Sequence, residues 1–377
     1  MFTYEMPTKL FFGKNCIAQS GDYLAQLGKK ALLVTGHHSA KINGSQQAIL
    51  DTLQQLGISW AIFDEVENNP SILTVRRAAA FAKAEQVDFV IAVGGGSPMD
   101  AGKAIALLAC QNIAPENIFS GSYQKKVLPM IHIPTTSGTG SEVTPYSILS
   151  NHKAQTKSTI ATPLIFPTYA LLDPAYQKDL PISITINTAL DALSHNIESI
   201  LSMKINPLIA QIAQSGIKQI GDCLTAMENN DLTEAVREKL QYGSLAGGIA
   251  IAHTGTNIVH SLGYSLTYFR DIDHGRANAL TIAEYLNFIA KTAPEKVALI
   301  LNDMKFDNIS QFKAQIDRLL GKKEAFTAEE LEKYTTPKTK VLVLPFPNNP
   351  TGAIMTREDL EPIAKFVEEH DLYVMSD

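Results

Sequence analysis

Four side chains in the second half of the chain have the types and spacing of a metal-binding set. Asp191 and His195 stand four residues apart in Asp191-Ala192-Leu193-Ser194-His195. On a predicted helix that spacing places both on one face. His260 lies in Asn257-Ile258-Val259-His260-Ser261-Leu262-Gly263-Tyr264, late in an apolar helical pattern. His274 lies in Asp273-His274-Gly275-Arg276, in a loop leading to a helix that is expected to start near Arg276. One carboxylate and three imidazoles make a four-donor set for a divalent transition metal. Each residue alone has a plainer reading, as a helical Asp–His contact or as a core or cap histidine. The case rests on all four together.

A second signal lies upstream. Gly94-Gly95-Gly96-Ser97-Pro98 follows the apolar run Asp88-Phe89-Val90-Ile91-Ala92-Val93 and precedes a helical pattern, with Pro98 suited to its first turn. Consecutive glycines let a backbone approach a ligand closely. A helix N-terminus offers free N–H groups and positive potential to a pyrophosphate. The spaced G-x-G-x-x-G fingerprint is missing, so an ordinary Rossmann assignment is not licensed, and a tight turn without ligand is the plainer reading. Thr135-Thr136-Ser137-Gly138-Thr139-Gly140-Ser141-Glu142 follows another predicted strand, Met130-Ile131-His132-Ile133-Pro134. Two polar, glycine-bearing loops at strand ends reinforce one another, because open α/β sheets bind ligands there. A metal plus a dinucleotide implies hydride transfer to or from an alcohol.

The elements that must position these residues are legible as patterns. Residues 31–110 alternate strand and helix signals. Strands are expected at 31–35, 59–63 and 88–93, and helices at 45–56 (Ala48, Ile49, Leu53 and Leu56 on one stripe) and 74–85. Such units build a parallel, doubly wound sheet. Residues 128–173 read as strand and loop. From 183 to 335 strand signal is almost absent. The reading is an α/β dinucleotide-binding domain over 1–180, an all-α metal-binding domain over 181–335, and a strand-helix-strand tail over 336–377 whose strands lack an obvious sheet. His37 and His38 read as a solvated loop and His132 as a strand residue. His253 is a neighbour of the site, and His152 and His370 have no evident partner.

Composition bounds the setting. The chain has 377 residues, 45% hydrophobic and 19% charged, as in a large-cored globular protein. A net charge of −6 argues against a nucleic-acid partner. Three widely separated cysteines, Cys16, Cys110 and Cys223, imply a reducing cytoplasm. The first residues lack a secretory pattern, and no apolar run approaches the ~20 residues of a membrane span.

Taken together, these residues resemble the iron-containing (group III) alcohol dehydrogenases. The matching stretches are Gly94 to Asp100 with Lys103, Ile133 to Thr144, Leu171-Leu172-Asp173-Pro174, Asp191 to His195, and His260 through His274-Gly275. Lys9-Leu10-Phe11-Phe12-Gly13 is similar to the family's N-terminal strand. The resemblance implies an oxidoreductase acting on a small primary alcohol or aldehyde. It puts iron(II), or else zinc(II), on Asp191, His195, His260 and His274. It assigns NAD or NADP to Gly95, Gly96, Ser97, Asp100, Thr135, Thr136 and Thr139, with Gly94 in the turn and Lys157 near the ribose, and it implies a homodimer. Many relatives carry another histidine where this chain has Tyr264, which makes Tyr264 the candidate proton relay. NAD-preferring members often have an acidic residue after the first strand of the sheet. Here Gly36-His37-His38-Ser39-Ala40-Lys41 stands there, with Ser39 and Lys41 placed to receive a 2′-phosphate, so NADP is favoured. Alternatives are a glycerol-dehydrogenase-like or dehydroquinate-synthase-like relative.

Residues 336–377 instead resemble a piece of a fold-type I, pyridoxal-phosphate-dependent aminotransferase, around Asn348-Asn349-Pro350-Thr351-Gly352 and Val374-Met375-Ser376-Asp377. In that family, residues matching Asn349 and Asp377 contact the cofactor ring. Its Schiff-base lysine lies beyond residue 377, so the tail is expected to be non-functional. A fusion near residues 332–337 accounts for both resemblances, and an inactive chimera is a further alternative.

Overall fold

The computed structural model describes residues 1–270, 272–321, 328–344 and 357–376. They fall into two compact units, Met1–Lys313 and Ala314–Asp377. The first unit is built on a six-stranded sheet. Its strands are β1 (Lys9–Phe12), β2 (Lys30–Gly36), β3 (Ser59–Val66), β4 (Phe89–Gly94), β5 (Met130–Pro134) and, after the hairpin β6 (Tyr146–Asn151) and β7 (Thr156–Ala161), β8 (Tyr169–Leu172). The order is β1-β8-β5-β4-β2-β3, with every neighbouring pair parallel.

The apolar runs explain this sheet. Successive strand residues point to opposite faces. Leu32 and Val34 join one core, with Val90 and Ile105, while Ala31 and Leu33 join the other, with Ile91, Ile49 and Leu53. Both faces are therefore covered, as parallel sheets require. The helix expected over 45–56 spans Ser45–Gln55. The helix expected over 74–85 spans Ile72–Ala84.

After Pro181 the described residues of this unit form helices only. The helix Ile182–Leu201 is central, and every residue from Ala189 to Leu201 is buried. Its polar residues must therefore find partners inside the protein. Two sequence expectations shift here. His260 belongs to the first turn of its helix, Ile258–Arg270, not late in one. The preceding helix Glu234–Thr254 ends at Gly255, whose φ of 69° terminates it before the next helix opens at Ile258. His274 is itself the first residue of the helix His274–Ile289. No described helix is long and apolar enough to cross a membrane.

The second unit carries a helix Ala328–Tyr334, then β9 (Val341–Leu344), a helix Arg357–Glu369 and β10 (Tyr373–Ser376). The strands expected to lack a sheet pair with one another in parallel, Val341 opposite Tyr373. Leu344, Ile363 and Phe366 are buried. Asn349 and Asp377 lie outside the described residues.

Candidate active site

The helix Ile182–Leu201 carries Asp191 and His195 one turn apart, and the helices Ile258–Arg270 and His274–Ile289 bring His260 and His274 to them. One ligand atom each from Asp191, His195 and His260 lie within 4.8 Å of one another. His260 Nε2 is 3.5 Å and His274 Nε2 3.9 Å from Asp191 Oδ1. The His195 and His260 rings stack at 4.4 Å, and His274 sits edge-on to His260 at 5.2 Å. Three of the four predicted donors therefore converge, and His274 lies beside them against Asp191 and His260.

The surrounding hydrogen bonds fit a cation. Metal-bound histidines donate their second ring nitrogen to a fixed acceptor. Here Glu198, fully buried, accepts from His260 Nδ1 and from the backbone N–H groups of Asn257 and Val259 at 3.0 and 2.9 Å. His260 Nε2 is left pointing inward, buried and without a hydrogen-bond partner, as is His195 Nδ1. Asn278 Nδ2 donates to Asp191 Oδ1 at 2.9 Å and lies 3.3 Å from His274 Nε2. Burial pushes His195 down to about 4 and His274 to about 3, so both are neutral near pH 7, as metal ligands must be. Burial opposes charge on Asp191 and His260 too. The three imidazoles nevertheless hold Asp191 well below the carboxylate range. The carboxylates of Asp191 and Glu198 push His260 up to about 9, so without a cation a proton occupies this nest. Glu198 and Asn278 were not anticipated from the sequence, although Asp191, His195 and Glu198 form one helical stripe.

The Gly94 turn sits where it was expected. Gly94 has φ 144°, and a Cβ there would lie 2.8 Å from Pro98 Cγ, so glycine is required. Gly94 pairs with Pro134, and Thr135 N–H donates to Gly94 C=O at 2.9 Å, joining the two polar loops. A cavity of about 470 Å³ runs over the ends of β2, β4 and β5, lined by Gly36, Ser39, Gly95, Gly96, Ser97, Thr135, Thr136 and Thr139 among others. A smaller cavity, about 220 Å³, is lined by Asp191, His195, His260, His274, Asp100 and Tyr264, among others. Thr139 borders both.

Other expected residues have different surroundings. Asp100 spends its carboxylate on Ser141 Oγ at 2.6 Å and Ile148 N–H at 3.1 Å. Lys103, fully buried, donates to Ser141 Oγ, Thr144 Oγ1 and the Tyr146 carbonyl; burial pushes it down to about 8. Lys157 donates to Asn69 Oδ1 at 2.7 Å and lies in a neighbouring cavity, 5.9 Å from the Tyr264 ring centre. Asn69, which no sequence signal marked, also donates its N–H to Ser97 Oγ. Lys41, expected to face a 2′-phosphate, instead pairs with Asp64 at 2.6 Å. Tyr264 stacks on His274 at 5.1 Å, and burial raises its hydroxyl above the usual tyrosine range. His253 stacks on Tyr4 and does not line the cavity of the four donors.

Comparison with known proteins agrees with this geometry. Residues 7–174 match the iron-containing alcohol dehydrogenase model, and residues 185–330 the C-terminal model of the Fe-containing alcohol dehydrogenase family. The chain is 34% identical to the 1,3-propanediol dehydrogenase of Klebsiella pneumoniae, over 79% of this chain and 78% of that one. The chain belongs to the iron-containing alcohol dehydrogenase family. It is accordingly an oxidoreductase. This family member is also similar to the NADPH-dependent butanol dehydrogenase of Clostridium saccharobutylicum, 31% identical over 80% of this chain and 77% of that one. It resembles the crystal structure of the iron-containing alcohol dehydrogenase of Thermotoga maritima, with 38% identity, a TM-score of 0.80, and 89% of this chain and 91% of that one covered. Residues 298–377 match the model for class I and II aminotransferases, so the foreign resemblance of the tail also holds.

Proposed function

We propose that this family member interconverts a small primary alcohol and its aldehyde, with iron(II) or zinc(II) held by Asp191, His195, His260 and His274. In this reading residues 1–180 hold the dinucleotide and residues 181–335 hold the metal. When bound, the two groups supply a Lewis acid and a hydride acceptor or donor. The chain's own residues do the rest. The Gly94–Ser97 turn and the N-terminus of the helix Gly96–Cys110 bind the pyrophosphate, with the hydroxyls of Thr135, Thr136 and Thr139 beside it. Glu198 fixes the tautomer of His260. The Tyr264 hydroxyl, which resists ionisation, passes a proton by donating and accepting at once.

The observation that carries this reading is the convergence of the donors beside a cavity that shares Thr139 with the phosphate-binding crevice. NADP is the favoured dinucleotide. Gly36 and Ser39 line the end of β2, and the loop 36–41 that follows it carries no acidic residue of its own. The exposed Lys41–Asp64 pair can open to meet one. A homodimer in the cytoplasm fits the position of β1 at the sheet edge, where a partner's strand can add.

The test is metal analysis with an NADPH and NADH oxidation assay on a panel of aldehydes, with and without added iron(II) or zinc(II). His195→Ala should lose both metal and turnover. Unchanged turnover in that variant would remove the metal assignment, and metal-free, inactive wild-type protein would favour an inactive chimera.

A further inference from the structure

The crevice over the strand ends has two walls. One is made by the loops that follow β2, β4 and β5. The other is the entry to the helix Ile182–Leu201, where Asp179, Leu180, Pro181, Ile184 and Thr188 line the cavity. The walls meet at Gly138, where a Cβ would stand 2.8 Å from Thr188 Cβ. The placement of the second wall therefore sets the shape of the crevice. Its own sequence does little to hold it. Pro181 occupies the cap position, with neither an N–H to donate nor a side-chain oxygen to cap the helix.

Arg237 supplies the fastening. It lies in the first turn of the helix Glu234–Thr254, is buried, and is not among the residues that line the crevice. One arm of its guanidinium, Nη2, donates to the Leu180 carbonyl at 2.8 Å. The other, Nη1, donates to the Thr185 hydroxyl. Thr185 Oγ1 in turn donates to the Pro181 carbonyl at 3.1 Å, the oxygen that also accepts the Thr185 N–H at 2.9 Å. One planar fork thus bridges the residue before Pro181 and the first turn of the helix. A rigid fork suits two acceptors at a fixed spacing, which the point charge of a lysine does not match. Both acceptors are neutral. Burying a cation against neutral groups is costly, so packing alone does not account for an arginine here.

We infer that Arg237 is a positioning residue for dinucleotide binding, which holds the wall from Leu180 to Thr188 against the phosphate-binding loops without itself touching the dinucleotide. Asp191 lies farther along the same helix and is held separately by Asn278. The candidate metal donors therefore do not depend on this clamp. The inference rests on the proposed use of the crevice and adds to it the residue that shapes one side.

The experiment uses the full chain loaded with metal. Arg237→Met removes the fork and keeps an unbranched side chain. The KM for NADPH should rise roughly tenfold, within the ~100-fold that a small misplacement of binding groups can cost. The KM for butanal at saturating NADPH and the metal content should stay near wild type. Titration of NADPH and NADH by nucleotide fluorescence reads the same loss without turnover. Arg237→Lys should fall between wild type and Arg237→Met. Thr185→Val should weaken nucleotide binding less than Arg237→Met, because the bond to Leu180 survives. Added to Arg237→Met it should cost nothing further, since two members of one clamp are not additive. If Arg237→Met does not fold, Arg237→Lys and Thr185→Val carry the comparison. A lowered melting temperature with wild-type nucleotide constants would make Arg237 merely structural and overturn the inference, and so would a loss of metal that matches the loss of nucleotide affinity. A wild type that binds neither nucleotide removes the dinucleotide reading and the inference with it, whereas variants that bind as the wild type does remove the inference alone.

Discussion

The proposed donor set owes its geometry to side chains outside it. Glu198 is one. Its two oxygens accept three N–H groups, and one of them is the ring nitrogen that fixes how His260 faces the centre. Glu198→Gln keeps the shape but replaces an acceptor with an amide. Outer partners of this kind typically govern about 10–100-fold in metal affinity or activity. The expected outcome is a metal content that falls on dialysis at concentrations of chelator the wild type withstands, measured by elemental analysis. Retention equal to wild type would make Glu198 merely structural. The four candidate donors stood out in the sequence because each sits in a short marked stretch. Their supports were not. Glu198 meets His260 across 62 positions and Asn278 meets Asp191 across 87, and no local pattern encodes such pairs.

Elements were legible where burial is complete on both faces. β2, β4 and β5 read as apolar runs because helices cover them on either side, and the helix Ser45–Gln55 read from its stripe. The boundary before His260 was misread because Ile258, Val259 and Leu262 read as the end of an apolar helix, whereas residues 255–257, with Gly255 at φ 69°, end one helix and Ile258 opens the next. The pairing of β6 with β7 was invisible for another reason: half of its alternation faces a cavity and not the core. The junction of helices at the site makes the sharpest structural demand. At Gly275 a Cβ would stand 1.8 Å from the Asn187 carbonyl oxygen, on the neighbouring helix Ile182–Leu201. Gly275→Ala must push the two helices apart, and overpacking of this sort costs about 1–3 kcal/mol or more. Because His274 and Asp191 ride on those helices, both melting temperature and metal content should fall. Calorimetry and elemental analysis check this, and a normal value for both would show that the contact relaxes freely.

At the scale of the molecule, two family resemblances overlap between residues 298 and 330, and a compact unit begins at Ala314. The sequence revealed the foreign tail but not that its strands would pair, because each strand's partner is the other one. A two-stranded sheet with one helix is marginal as an independent structure. Its apolar burial rests on a few residues such as Leu344, Ile363 and Phe366, while Val341, Tyr373, Val374 and Met375 are exposed at 47%, 76%, 47% and 61%. An exposed apolar edge of this kind promotes association between chains. All four candidate donors and both cavities belong to the first unit. Removing residues 337–377 should therefore leave metal content and aldehyde reduction in place and lower light scattering on heating. The melting temperature should move by no more than roughly 2–4 °C, the shift that about 1 kcal/mol produces in a domain of this size. A much larger loss would mean that Ile363 and Phe366 carry stability for the whole chain, and the tail would then count as an integrated part of the enzyme.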